Sequence, residues 1–356
     1  MEPPESMGVD DRAAHLRLRF ATAVERRGDV RGEGVTTPVV RRVLPPARAR
    51  RRSGAFGDQV FRLASLGFAV SVLALAVLIG VVLFRWSAMA RATFGWSFLT
   101  TTTWDPVFSH FGALPFIYGT LATSAIALAI ALPLGLGAAI CLAELLPRSV
   151  ADGLTFLVEL LVAVPSVIYG LVGLFVLVPL VRGVGGWVAH TLGFIPVFAG
   201  PVYGIGLLTA GVLLAFMTVP FIVAISREVL LAVPQTQRDA ALALGATRWE
   251  TVRHVVLPYA RTGILGSVFL ALARALGETM AVTMVIGNRP EIAASLFAPA
   301  HTMAAVLANE FAEAAGDLYM SALIEVALVL FGITIVVNAA ARLLIASVRA
   351  PSGTPA

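Results

Sequence analysis

Six stretches of membrane length, almost free of charge, are separated by shorter polar segments along the chain: 63–84, 116–142, 156–181, 203–225, 262–286 and 318–341. A helix needs about 20 apolar residues to cross the hydrocarbon core of a bilayer, so each stretch predicts one transmembrane helix. The segment 183–200 is also apolar but is interrupted by glycine and proline. It predicts a re-entrant or outer-surface segment, with a seventh span as the alternative, which would invert everything downstream. The expected fold class is therefore an all-α polytopic membrane protein with six transmembrane helices.

Residues 1–57 break the pattern. They are rich in Arg, Pro and Gly with few aromatics, a composition that buries too little apolar surface to offset ordering entropy. They predict a disordered, Arg-rich cytoplasmic tail. An Ala88-Met89-Ala90 triplet after the first stretch resembles a signal-peptidase site, but the preceding apolar run is too long for a signal peptide. The outer segments carry only Arg85, Arg91, Arg182 and Arg289, whereas the tail, Arg148, the arginines between positions 227 and 261, Arg342 and Arg349 fall on the other side. The positive-inside rule then places both termini in the cytoplasm. The division expected is 1–57 tail, 58–115 first span with an outer loop, 116–345 core and 346–356 short cytoplasmic end.

Composition sharpens this picture. The 356 residues are 58% hydrophobic and 13% charged, with a mean hydropathy of +0.88, against about 25% charged for a soluble domain. Every basic residue in the Lys+Arg total is Arg; the chain contains no Lys. A P-loop needs a Lys on the β/γ-phosphates and a Schiff-base enzyme needs a Lys amine, so both classes are excluded. The one cysteine, Cys141, excludes an internal disulfide. The histidines (His15, His110, His190, His254, His301) are scattered without ligand spacing, so no metal site is expected. Gly135-Leu136-Gly137 lacks the third glycine of a nucleotide fingerprint and reads as a close helix contact. No catalytic residue set emerges; Glu159 and Glu325 sit near span ends or inside apolar runs, and Glu325 is expected to face the bundle or a second permease, with a transport role as one reading.

The longest inner loop is VPQTQRDAALALGATRWETVRHVVLPYARTG, 233–263. Pro234 suits the first position of a helix, and Ala240, Ala241 and Leu244 share one face. Gly245 suits the left-handed residue that ends it. Thr247 with Glu250 forms a capping box that restarts a helix, and Pro258 predicts its end before span five. The expected product is a helical hairpin with a knob of small residues; a generic surface helix pair is the alternative. The stretch resembles the cytoplasmic signature of permease subunits of ATP-binding-cassette importers: E-A-A, three residues, G, nine residues, I-x-L-P. Here it reads Asp239-Ala240-Ala241, Gly245, then Val255-Val256-Leu257-Pro258, with Asp for Glu and Val for Ile. The resemblance implies a type I permease fold and a coupling helix docking on a separate ATPase, with Asp239, Ala240, Ala241, Gly245, Leu257 and Pro258 as coupling residues. It also implies that this chain binds no cofactor and that ATP and Mg sit on the partner.

Span five, ALARALGETMAVTM at 271–284, places Arg274 and Glu278 one helical turn apart near mid-membrane. Each such charge costs about 2.5–3.5 kcal/mol on insertion scales, so both are expected to face the bundle interior or water. Two readings stand: an i,i+4 pair locking the bundle, or a translocation path in which Arg274 meets an anion. Gly277 between them invites a close helix approach. ALGETMAVTMVIGN (275–288), VELLVAVPSVIYGLVGLFVLVP (158–179), SREVLLAVP (226–234) and ANEFAEA (308–314) resemble the PstC-type permeases of phosphate importers. That resemblance implies that Arg274 and Glu278 line a phosphate path. It further implies a bacterial inner-membrane complex with a PstA-like second permease, a PstB-like ATPase dimer and a PstS-like binding protein. A sulfate or molybdate permease and a secondary anion transporter are the rival expectations.

Overall fold

The computed structural model describes residues 55–348; the Arg-rich tail 1–54 and the last residues, 349–356, lie outside the described residues. The chain divides into two compact units, Met1–Leu66 and Gly67–Ala356. Of the first unit, the described part is the opening turns of α1 (Ala55–Trp86).

Among the described residues six helices are long and apolar enough to cross a membrane: Gly57–Trp86, Leu114–Leu145, Ser166–Leu192, Leu207–Leu231, Arg248–Gly277 and Asp317–Ser347. In chain order α1 is followed by α2 (Ala88–Phe94), a hairpin of β1 (Trp104–Asp105) and β2 (His110–Phe111), and α3 (Leu114–Ile140). Next come α4 (Arg148–Val162), α5 (Ser166–Val172), α6 (Val178–Leu192) and α7 (Leu207–Leu231). The chain closes with α8 (Gln235–Ala243), α9 (Arg248–Thr251), α10 (Leu257–Gly277), α11 (Met280–Ile286), α12 (Met303–Glu310) and α13 (Asp317–Val348).

The third expected span was placed too early. Val164-Pro165 breaks 156–181, because a proline removes an amide donor and pushes its predecessor out of helical geometry. α4 is thus a separate helix, and span three starts at Ser166. It then runs unbroken to Leu192 through a π-helical turn at Gly173–Leu177. Residues 183–192 therefore belong to span three and are not re-entrant; only 193–206 is irregular, and the spans remain six.

α7 is the most buried of the six spans and packs mainly on α3. The two approach closely because both carry glycine at the contact. A Cβ at Gly211 would fall 2.5 Å from Ile126 Cγ2, and one at Gly135 would fall 2.8 Å from Ile222 Cγ2. Without a hydrophobic drive between helices in lipid, such close van der Waals packing is what holds them. The core continues from α7 to the buried Ala281, Val282, Val285 and Ile286 of α11. A second cluster joins Phe98, Trp104, Phe111 and Phe116 to Met303 and Leu323. Glu310 ties it together, its Oε2 accepting from Trp104 Nε1 (2.8 Å) and from the Tyr319 hydroxyl (2.6 Å).

Candidate functional site

The break between α10 and α11 forms the first candidate site. The sequence predicted one helix through 262–286, with Arg274 and Glu278 on a shared face. The helix instead ends at Gly277; Glu278 is extended (φ −69°, ψ 127°) and α11 starts at Met280. A Cβ at Gly277 would meet nothing within 4 Å, so this glycine ends a helix and does not admit a neighbouring one. Glu278 turns to the new helix, where its Oε1 accepts from the Ala281 amide at 3.4 Å. Among the described residues no ion pair within 4 Å joins Arg274 to Glu278, so the ionic lock is absent.

Arg274 instead lies near an aromatic ring: its guanidinium carbon is 6.0 Å from the Phe221 ring centroid on α7. Arg274 Nε is buried without a hydrogen-bond partner. Tyr169 is fixed by its hydroxyl, which donates to the Leu161 carbonyl at 2.8 Å. The cation thus stands near one aromatic ring with one donor unmet and no carboxylate in contact. Tyr169 and Phe221 were not singled out in the sequence, because aromatics in apolar spans look like ordinary core.

His301, in the segment before α12, is buried with its Nδ1 unpartnered and its ring edge-on to Phe116 at 5.3 Å. Burial pushes its pKa down to about 4, so it stays neutral at physiological pH. Among the described residues no cluster of three His, Cys, Asp or Glu side chains could hold a metal.

The loop between α7 and α10 forms the second candidate site. Pro234 is the N-cap of α8 and not its first helical residue, one position earlier than predicted. Gly245 has φ +88°, and the amides of Gly245 and Ala246 close the helix on Leu242 (3.0 Å) and Ala241 (3.1 Å), a left-handed C-terminal cap that favours glycine. The capping box is formed: the Thr247 amide donates to Glu250 Oε2 (2.8 Å) and the Glu250 amide donates to Thr247 Oγ1 (3.3 Å).

Pro258 does not end the second helix. A wide π-helical turn at Val252–Val256 precedes it. That turn gives room to the carbonyl a proline ring would strike in a regular helix. α9, the π turn and α10 therefore form one helix, Arg248–Gly277, with Leu257 and Pro258 inside it. Asp239 and Ala240 are exposed and Ala241 is half-buried. Leu244 at the tip is 90% exposed and Trp249 is 55% exposed.

Sequence reasoning missed what holds this loop. Arg238 donates from Nη2 to Glu144 Oε1 (2.8 Å) and to the Leu230 carbonyl (2.7 Å), and from Nη1 to the Val233 carbonyl. Both charged side chains are only 12% exposed. Arg227 pairs with Asp152 at 3.0 Å. Glu144, a lone acid at the end of span two, was the available signal. These groups border a cleft of about 390 Å³ beneath α8.

Six membrane-length helices, an interrupted fifth span with an inward cation, and a rigidly anchored loop with a bare apolar tip define the membrane-embedded subunit of a transporter. Residues 131–350 match the profile of the binding-protein-dependent transport system inner membrane component. The chain belongs to this family and is a multi-pass inner-membrane protein. It is 48% identical to the phosphate transport system permease protein PstC of Mesorhizobium japonicum, over 88% of this chain and 99% of that protein. The protein of the same name from Haemophilus influenzae is 45% identical over 80% and 91%, respectively. Among solved structures, a bacterial alginate ABC transporter in complex with its pentasaccharide-bound periplasmic protein superposes with a TM-score of 0.53. That match has 14% identity and covers 82% of this chain and 96% of that chain; it shows a shared fold.

Proposed function

We propose that this chain is the PstC-like permease subunit of an ATP-driven inorganic phosphate importer. The likeness of nearly the whole chain to phosphate permeases supports the substrate. One observation carries the site: Arg274, at the broken fifth span, presents a cation with a buried, unmet donor and no carboxylate in contact. A phosphate oxygen supplies the missing acceptor, and charge-assisted bonds of this kind are among the strongest available. Broken helices at membrane depth mark solute sites in other transporters, because backbone freed from the helix lines a cavity. Glu278, carried on the break, borders the path and moves with it.

The loop 233–258 is the coupling element. Asp239, Ala240, Ala241 and Gly245 shape its tip, and Leu244 is the apolar contact for a groove on a PstB-like ATPase that holds ATP and Mg. Leu257 and Pro258 carry the motion into α10. A PstA-like permease completes the path, a PstS-like binding protein delivers phosphate, and both termini are cytoplasmic. The chain itself does no catalysis and binds no cofactor.

The test is uptake of labelled phosphate by proteoliposomes holding all four components. Wild-type complex takes up phosphate and not sulfate or molybdate, while Arg274→Gln assembles with its ATPase and takes up none. Normal phosphate uptake by Arg274→Gln removes the path role, and preference for sulfate or molybdate removes the substrate.

A further inference from the structure

A second pair of opposite charges lies at the end of the bundle opposite the loop 233–258, where α1 ends and α13 begins. A cavity of about 400 Å³ there is lined by Phe84, Arg91, Trp96, Glu325, Leu328 and Val329. Glu325 is 5% exposed and its Oε2 has no hydrogen-bond partner. Arg91 is oriented by its own segment: Nε donates to Ser87 Oγ at 3.2 Å, Nη2 donates to the Phe84 carbonyl, and the guanidinium lies 3.6 Å over the Phe84 ring. Among the described residues Arg91 and Glu325 form no ion pair within 4 Å. An ionisable group inside a span is costly and normally has a partner; among the described residues no side chain hydrogen-bonds Glu325 Oε2.

The depth suits a headgroup. Glu325 is eight residues into α13, roughly 12 Å from its start, and the 31-residue span is roughly 46 Å long against a hydrocarbon core of about 30 Å. With the span centred and upright in the bilayer, Glu325 falls just inside the hydrocarbon boundary. Trp96, 86% exposed, and Trp86, 68% exposed, sit where aromatic side chains anchor at the interface.

We propose that this cavity is a binding site for a phospholipid with a phosphoethanolamine headgroup, its phosphate on Arg91 and its primary ammonium on Glu325. The acyl chains run along Leu328 and Val329. Both charges are then met, one by each end of a single zwitterion. A primary ammonium offers three N–H donors to a carboxylate, whereas a quaternary choline offers none. Choline could lie against an aromatic face such as Trp96 in the same lining, but it would leave the Glu325 carboxylate without a hydrogen-bond donor. Which leaflet supplies the lipid follows from the proposed orientation, but the headgroup preference does not depend on it.

The test is native mass spectrometry of the full chain with its partner subunits, released from nanodiscs containing phosphatidylethanolamine, phosphatidylcholine and phosphatidylglycerol in equal amounts. Wild type retains one phosphatidylethanolamine per chain, in about tenfold preference over phosphatidylcholine. Glu325→Gln brings that preference to about twofold or less while phosphatidylglycerol retention is unchanged, and Arg91→Gln lowers retention of every phospholipid. Leu328→Trp fills the cavity without touching either charge and displaces the lipid, which guards against a misfolded charge variant. No preference in wild type, an unchanged preference in Glu325→Gln, or a partner chain occupying the cavity in an image of the complex overturns the proposal.

Discussion

Arg238 Nη2 lies 2.8 Å from Glu144 Oε1, joining the first helix of the inner loop to the end of span two across 94 positions of sequence. Both side chains are almost fully enclosed, and Arg238 also donates to the Leu230 carbonyl at the end of α7 and to the Val233 carbonyl just beyond it. The loop is therefore seated on the bundle and not merely tethered to it.

Removing one partner leaves the other charge buried without compensation. Arg238→Ala and Glu144→Gln should each lower stability by about 3 kcal/mol, read as a lower melting temperature in detergent. Both should also weaken the ATPase response to substrate. The double variant Arg238→Met/Glu144→Leu should melt higher than Arg238→Ala; a lower melting temperature would show that the pair does more than neutralise itself.

Arg274 is expected to be the residue least tolerant of change in the path. Arg274→Gln should cut phosphate uptake about a hundredfold or more, as expected when a charged hydrogen bond in a low-dielectric site is lost. Arg274→Lys keeps the charge but loses the planar fork, so it should retain a measurable fraction. Equal loss in both variants would assign the role to geometry and not to charge.

Gly245 sits at φ +88° with open space around its Cβ position, so any penalty is conformational and not steric. Gly245→Ala should cost about 1 kcal/mol and leave the ATPase bound. Gly245→Pro cannot adopt this angle and also removes the amide that closes on Leu242; it should detach or uncouple the ATPase. Co-purification and substrate-stimulated hydrolysis distinguish the two variants.

His301 makes stability depend on pH with a definite sign. Burial holds its pKa near 4, while an unfolded histidine titrates near 6.5, so between those values the unfolded chain binds the extra proton. Its stabilising contribution is present above about pH 6.5 and declines as pH falls toward 4, by on the order of 2–3 kcal/mol. Melting temperatures at pH 7.5 and 4.5 should therefore differ more for wild type than for His301→Gln.

Hydropathy located the six spans because the hydrocarbon thickness sets a length that a sequence window can see. The capping box at Thr247 and the left-handed turn at Gly245 were equally legible, since both are local chemistry. The Pro165 break is equally local chemistry, but a hydropathy window runs straight through it because Val164 and Pro165 are both apolar. The break at Glu278 carries no proline, and its short second helix stands on tertiary packing of Val282, Val285 and Ile286. The seat of the loop, Arg238 on Glu144, depends on two segments far apart in sequence, which no local pattern reports. The wide turn at Val252–Val256 likewise reversed a sound rule about proline.

That wide turn has a mechanical result. Because it fuses the docking loop to span five, 30 residues from Arg248 to Gly277 form a single stiff rod about 45 Å long. A displacement at its lower end is carried toward Arg274 along one continuous helix, the Val252–Val256 turn being the irregular stretch on the way. The first break in the helix beyond Arg274 is Glu278–Thr279, so a tilt of this helix is taken up at that joint, where α11 begins.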